Sequence, residues 1–191
     1  MRFDLIVNTM YKFCLTIGKV TVNNASIWRP LLDIRDAVNG YLRAIQADYG
    51  INGVFNLASD NYTVGQVGDL VKEQVETLTG QKIAIEIKQI QDFRNYKVTW
   101  NKAKTVLGYE PKHTVSDIIA DIHKHRDEYG DFEEDSYYNI RTFKNLALLT
   151  RIDLVTYSTL YLTNFQSFRF GLQEMIFESK ALGFILIPAY S

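Results

Sequence analysis

Along this chain, segments whose apolar residues recur at helical spacing alternate with short runs in which apolar residues are continuous or alternate. Ile6, Met10, Phe13, Cys14 and Ile17 share one face and predict an amphipathic helix over residues 3–18. Gly18 suits its end, because glycine accepts a left-handed backbone without penalty. Val20, Thr21 and Val22 predict a short strand, and residues 23–26 a turn whose asparagines tolerate positive φ. Residues 31–34 predict a second apolar strand. Asp36 is placed to cap a helix reaching about Ala47, with Ala37, Val38, Tyr41, Leu42 and Ile45 as its buried stripe.

Residues 54–58 then predict a buried strand. Thr63 and Gln66 form a capping-box pattern ahead of a helix whose stripe is Val64, Val67, Leu70, Val71, Val75 and Leu78, stopped by Gly80. Ile83, Ile85 and Ile87 alternate with Ala84, Glu86 and Lys88, as in a half-exposed strand. Asn101 and Thr114 are placed to cap two shorter helices, the first ending at Gly108 and the second carrying Val115, Ile118, Ile119 and Ile122. Residues 127–136 are acidic and read as a solvated surface link. Residues 139–149 predict one more helix, with Ile140, Phe143 and Leu146 on one side. The strand–helix alternation between residues 20 and 90 predicts an α/β fold.

The end of the chain differs in character. Residues 150–191 are poor in charge and rich in Tyr, Phe and Leu, and the stretch from Leu154 to Phe168 carries no charge at all. Two readings stand: an apolar helix or strand pair packed on the body, or a segment that meets a partner or a membrane surface.

Composition narrows the functional classes. The 191 residues fit one domain of ordinary size, and a formal net charge of −1 leaves no electrostatic footprint for nucleic acid or an anionic membrane. The lone cysteine, Cys14, excludes an intrachain disulfide and reads as core packing. Residues 1–4 lack the build of a signal peptide, and no apolar stretch reaches the ~18 residues of a membrane span. The expectation is a soluble, cytoplasmic protein without a transmembrane segment.

Candidate chemistry is sparse. No glycine-rich turn of the dinucleotide or P-loop kind occurs, and Gly65 and Gly68 fall inside a helical pattern. No tyrosine has a lysine four residues later. His123 and His125 lie two apart, which on a helix puts them on different faces, so they make a poor metal pair. The acidic link lacks calcium-loop spacing. Two arginines stand out. Arg29 lies between a turn and an apolar strand, and Arg94 follows the isoleucine-rich strand. Guanidinium forks at two strand edges suit a diphosphate, while ordinary surface ion pairs are the plainer reading.

Several segments then appear in a telling order: residues 2–8 (RFDLIVN), residues 28–31 (WRPL) with Asp36-Ala37, residues 53–58 (GVFNLA), and residues 94–98 (RNYKV) with Lys102-Ala103 and residues 107–111 (LGYEP). This series resembles the C-terminal half of the NAD-dependent nucleotide-sugar epimerases and dehydratases, members of the extended short-chain dehydrogenase/reductase family, over residues 2–145. The resemblance implies an α/β substrate-binding portion of a Rossmann-type enzyme over residues 1–146, with an additional apolar tail at 147–191. It implies that Arg29 and Arg94 contact the diphosphate of a nucleoside-diphosphate sugar from opposite sides. Asp4 and Asn8 match the segment lining the sugar-diphosphate site, Val22 matches the strand whose backbone meets the base, and Asp36 matches a structural helix cap. The intact family holds NAD and a catalytic tyrosine and lysine in its other half, so this chain reads as a truncated member that binds no NAD and performs no catalysis alone. The implied partners are the sugar nucleotide and either a separate Rossmann-half chain or a second copy. A non-enzymatic binding or interaction module is the alternative. One departure concerns the turn before Trp28, which usually carries glycines and here runs from Asn23 to Ser26.

Overall fold

The computed structural model describes residues 1–91, 94–146 and, as backbone, 184–188. Its elements are α1 (Ile6–Ile17), β1 (Lys19–Asn23), β2 (Trp28–Leu31), α2 (Ile34–Ile45), β3 (Gly53–Leu57), β4 (Asp60–Thr63), α3 (Val64–Thr79), β5 (Ala84–Lys88), α4 (Asn101–Leu107), α5 (Val115–Lys124) and β6 (Phe184–Pro188). Residues 139–146 are helical as predicted. The end of that predicted helix, and the tail up to residue 183, lie outside the described residues.

Three two-stranded ladders make up the described sheet structure. β1 pairs with β5 in parallel, β2 with β4 antiparallel, and β3 with β6 in parallel. The arrangement is a mixed α/β fold with small parallel sheets. β4 was not expected, since Asp-Asn-Tyr-Thr carries no apolar alternation and forms a strand only because β2 lies beside it.

The main core lies where α1, α3 and α5 pack around β1, with Phe3, Tyr11, Val20, Val22, Val71 and Ile119 buried. A second cluster joins α2, β3 and α4 through Ala44, Phe55, Leu57, Ala103, Leu107 and Tyr109. Glycines set how closely these layers approach. A Cβ at Gly68 of α3 would stand 2.5 Å from Val22 Cγ2, and one at Gly40 of α2 would stand 2.3 Å from Leu57 Cδ1. The helical glycines therefore serve packing.

Local punctuation follows the sequence. Gly18, Gly80 and Gly108 end α1, α3 and α4 in the left-handed conformation. Asn24 adopts φ 55°, as the turn requires. Thr63 with Gln66 forms a reciprocal capping box on α3, and Thr114 with Asp117 does the same on α5.

Several expectations are corrected. The second strand covers Trp28–Leu31, and Ile34 already begins α2. Asp33, not Asp36, caps α2: its carboxylate accepts from the Arg35 amide at 2.8 Å. Asn101 opens α4 without a side-chain cap. On α1, Ile17 faces solvent at 60% exposure, and Val7 and Tyr11 are buried instead. On α2 the expected stripe is largely exposed: Val38, Tyr41, Leu42 and Ile45 face outward while Asp36, Gly40 and Ala44 face the fold. Ile140, Phe143 and Leu146 are exposed as well.

Candidate functional site

The site is built from the strand β2, the segment at residues 94–98 that runs beside it, and the turn that leads into α1. Residues 94–98 are fastened to β2 and β4 by backbone and amide groups. The Trp28 amide donates to Asn95 Oδ1 at 2.9 Å, and the Tyr96 amide donates to the Trp28 carbonyl at 3.4 Å. Asn61 clamps Val98 from both sides, accepting from its amide at 2.8 Å and donating to its carbonyl at 2.9 Å.

Arg29 is only 4% exposed. Its Nη1 donates to the Trp28 carbonyl at 2.9 Å and to the Arg94 carbonyl, and its guanidinium carbon lies 5.9 Å from the Tyr96 ring centre. On the opposite side of β2, the Lys97 ammonium sits over the Trp28 ring at 3.4 Å. The Arg94 side chain is exposed. The fold thus brings Arg29 against the Arg94 backbone, 65 residues away in the chain. Asn61, Asn95, Tyr96 and Lys97 complete this corner. Sequence reasoning did not single them out, although Asn95, Tyr96 and Lys97 lie within the RNYKV segment.

Asp4 and Asn8 form a second corner. Asp4 holds Arg2 through both carboxylate oxygens, at 2.9 and 3.1 Å. Asn8 is buried and donates to the Arg2 carbonyl at 2.6 Å, which closes the turn before α1. Asn8 also lines a cavity of about 590 Å³ with Leu5, Leu31, Ile34, Ile118 and Ile122. That volume is within the usual range for small-molecule pockets, and the wall is mostly apolar. Val22 stands apart from both corners. It pairs with Ile87, and its side chain is buried against α3.

Asp36 has a different role from the one expected. At 1% exposure it accepts from Ser59 Oγ at 2.6 Å, the Lys112 amide at 3.0 Å, the His113 amide at 3.1 Å and His113 Nδ1 at 2.8 Å. Burial raises its pKa, but these hydrogen bonds outweigh burial and hold the carboxyl below the ordinary aspartate value. It ties α2 to the loop before α5.

The described residues do not fit a dinucleotide. A phosphate cradle needs open amides at a helix N-terminus that follows a strand. At α3 the amides of Val64, Gly65 and Gln66 are taken by the Ile27 carbonyl, the Ala25 carbonyl and Thr63 Oγ. At α2 the Asp33 carboxylate already sits on the Arg35 amide. Among the described residues, no His, Cys, Asp and Glu cluster could hold a metal ion, and no helix is long and apolar enough to cross a membrane.

No family model matches the chain, and no curated protein matches it in sequence. Solved structures do resemble it. The chain is similar to the UDP-glucuronic acid 4-epimerase of Bacillus cereus in complex with UDP-glucuronic acid and NAD, with a TM-score of 0.58 and 19% identity over 68% of this chain and 41% of that one. It is similar to the dTDP-glucose 4,6-dehydratase of Bacillus anthracis in complex with NAD, with a TM-score of 0.54 and 16% identity over 66% and 41%. It is also similar to the ADP-L-glycero-D-manno-heptose-6-epimerase of Helicobacter pylori, with a TM-score of 0.53 and 15% identity over 63% and 36%. These likenesses establish a shared fold with epimerases and dehydratases. The chain spans about two fifths of the length of the structures it matches.

Proposed function

We propose that this chain supplies the nucleoside-diphosphate-sugar-binding side of an NAD-dependent epimerase or dehydratase, as a truncated member of the extended short-chain dehydrogenase/reductase family that corresponds to its C-terminal half. Residues 1–146 are the binding portion, and residues 147–191 are an added apolar tail. The observation that carries this reading is the convergence of two distant sequence motifs on one corner. WRPL and RNYKV lie side by side, with Arg29 braced on the Arg94 carbonyl. The likeness of the fold to enzymes crystallised with UDP-glucuronic acid and with NAD supports the same assignment.

In this reading Arg94, an exposed residue, meets the diphosphate, and Arg29 reinforces the positive corner from beneath. Asp4 and Asn8 shape the approach of the sugar, and Val22 belongs to the strand beside the base. In this reading the chain performs no hydride transfer alone, since α2 and α3, the described helices that follow strands, offer no dinucleotide cradle and no tyrosine in the sequence has a lysine four residues later. The test combines two measurements on the purified chain. UDP-, GDP- and dTDP-sugars should raise its melting temperature, and Arg94→Ala should abolish the shift. No sugar should be interconverted with NAD present, and turnover would contradict the reading.

A second reading rests on a separate observation. The outer face of α2 presents Ile34, Val38, Tyr41, Leu42 and Ile45 to solvent. Apolar surface on this scale marks an interaction face, which suits a chain that docks a separate nucleotide-binding half or a second copy. Concentration-dependent assembly with no sugar-nucleotide binding would favour this module over the first reading.

A further inference from the structure

His123, on α5, lies between two other elements. Its Nδ1 is 2.9 Å from the hydroxyl of the buried Tyr11 on α1, and its Nε2 is 2.8 Å from Nη1 of Arg126. A guanidinium nitrogen can only donate a hydrogen bond. Nε2 must therefore accept, and the neutral ring carries its single proton on Nδ1, donated to the tyrosine oxygen. Tyr11 from α1 and Arg126 and Asp127 from the turn face this ring. Burial and then Arg126 hold the ring's pKa below its ordinary value, against a smaller opposing effect of Asp127.

Arg126 opens a tight turn that runs to Glu128. Beyond it, Tyr129, Phe132 and Tyr137 stand edge-on around Phe3 with ring centres at 5.6, 4.9 and 5.3 Å. The Phe3 amide donates to the Tyr137 carbonyl at 3.0 Å, and the Tyr137 hydroxyl donates to the Tyr129 carbonyl at 2.7 Å. Phe3 sits between Arg2 and Asp4, so the segment after α5 holds the turn that carries Asp4 and that Asn8 of α1 closes.

We propose that His123 is an acid-released latch. A proton on Nε2 turns the acceptor of the Arg126 guanidinium into a second donor, expels that side chain, and loosens residues 126–138 from Phe3 and hence from residues 2–8. The device is independent of whether the chain binds a sugar nucleotide. It is closed at neutral pH. Because the closed state favours the neutral ring, opening grows as pH falls below the ordinary histidine value of ~6.5, by at most tenfold per pH unit for one proton. Glu133 also fastens this segment, through Lys12 at 2.5 Å and Arg141 at 2.9 Å. Those bonds hold its carboxyl below the ordinary glutamate value, so its release belongs to a more acidic window.

Hydrogen exchange followed by mass spectrometry on the full chain tests the latch. Between about pH 7.5 and 5, protection factors in residues 126–138 should fall by up to tenfold per unit in the wild type. In His123→Gln, whose amide oxygen can accept from Arg126 at every pH, they should stay constant. An equal fall in both proteins, or a fall confined to the carboxylate range, would overturn the proposal. A second measurement does not depend on the variant folding: ring nitrogen NMR of the wild type at neutral pH should place the proton on Nδ1, and a proton on Nε2 would refute it.

Discussion

Replacing Asp36 by alanine separates two roles that a carboxylate near a helix start can play. As an N-cap, its loss would cost about 1 kcal/mol. In the structure it instead receives four hydrogen bonds at 2.6–3.1 Å while 1% exposed, from Ser59, Lys112 and His113. Deleting it strands two backbone amides and a hydroxyl, each costing about 1–3 kcal/mol when buried without a partner. His113 reaches solvent and finds water more easily. Partial relaxation reduces the sum, so the expected loss is about 3–5 kcal/mol, the range for a broken buried network. With a urea m-value of about 2 kcal/mol/M, the midpoint should drop by roughly 1.5–2.5 M. Asp33→Ala, the true cap, should lose only about 1 kcal/mol, and Asp36→Asn should fall between the two. A loss of 1 kcal/mol or less for Asp36→Ala would refute the assignment of this carboxylate as the tie between α2 and the loop before α5.

Other outcomes follow from the same geometry. Gly68→Ala should lower the melting temperature by about 2–6 °C, because the clash with Val22 outweighs the gain in helix propensity; a rise would show that α3 is free to shift. Ile45→Lys on the outer face of α2 should change stability by less than about 0.5 kcal/mol in chemical denaturation, since Ile45 is 77% exposed. Glu133→Ala should cost more than Lys12→Met by over ~1 kcal/mol, because the first leaves a buried ammonium short of its carboxylate and the second leaves a half-exposed carboxylate still paired with Arg141. The pH dependence has two parts. The Asp36 carboxyl is held below its ordinary value, so its contribution is complete above about pH 4 and is lost as pH falls through the native pKa. The His123 pKa is likewise lowered in the fold, and for a basic group that penalises folding once the ring charges: stability declines as pH falls below ~6.5, and His123→Gln should flatten that limb of the thermal-melt profile.

What the sequence announced was local. Glycine caps at residues 18, 80 and 108, the capping box at Thr63 and the cap at Thr114 depend on residues within one helical turn, and each formed as read. Choices made by distant partners were not legible. Asp33 and Asp36 lie three residues apart and are both buried, and the tie of Asp36 to Lys112 and His113, more than 70 positions away, is what leaves Asp33 as the cap of α2. The periodicity of α2 was correct, but the face that packs is the one where Gly40 and Ala44 let β3 approach, so the larger apolar residues turn outward. At the site, the motif order led to Arg29 and Arg94 together. That Arg29 is sunk beneath 94–98 and grips a carbonyl depends on a contact spanning 65 residues, which no spacing rule encodes.

Calorimetric titration of the purified chain with UDP, GDP and dTDP and their sugar conjugates reaches the central claim most directly. The expected result is saturable heat with at least one of these nucleotides, weakened by added salt and lost in Arg94→Ala while the variant melts like the wild type. Absence of heat with all of them, or unchanged binding once Arg94 is removed, would contradict the assignment of this corner as a diphosphate site.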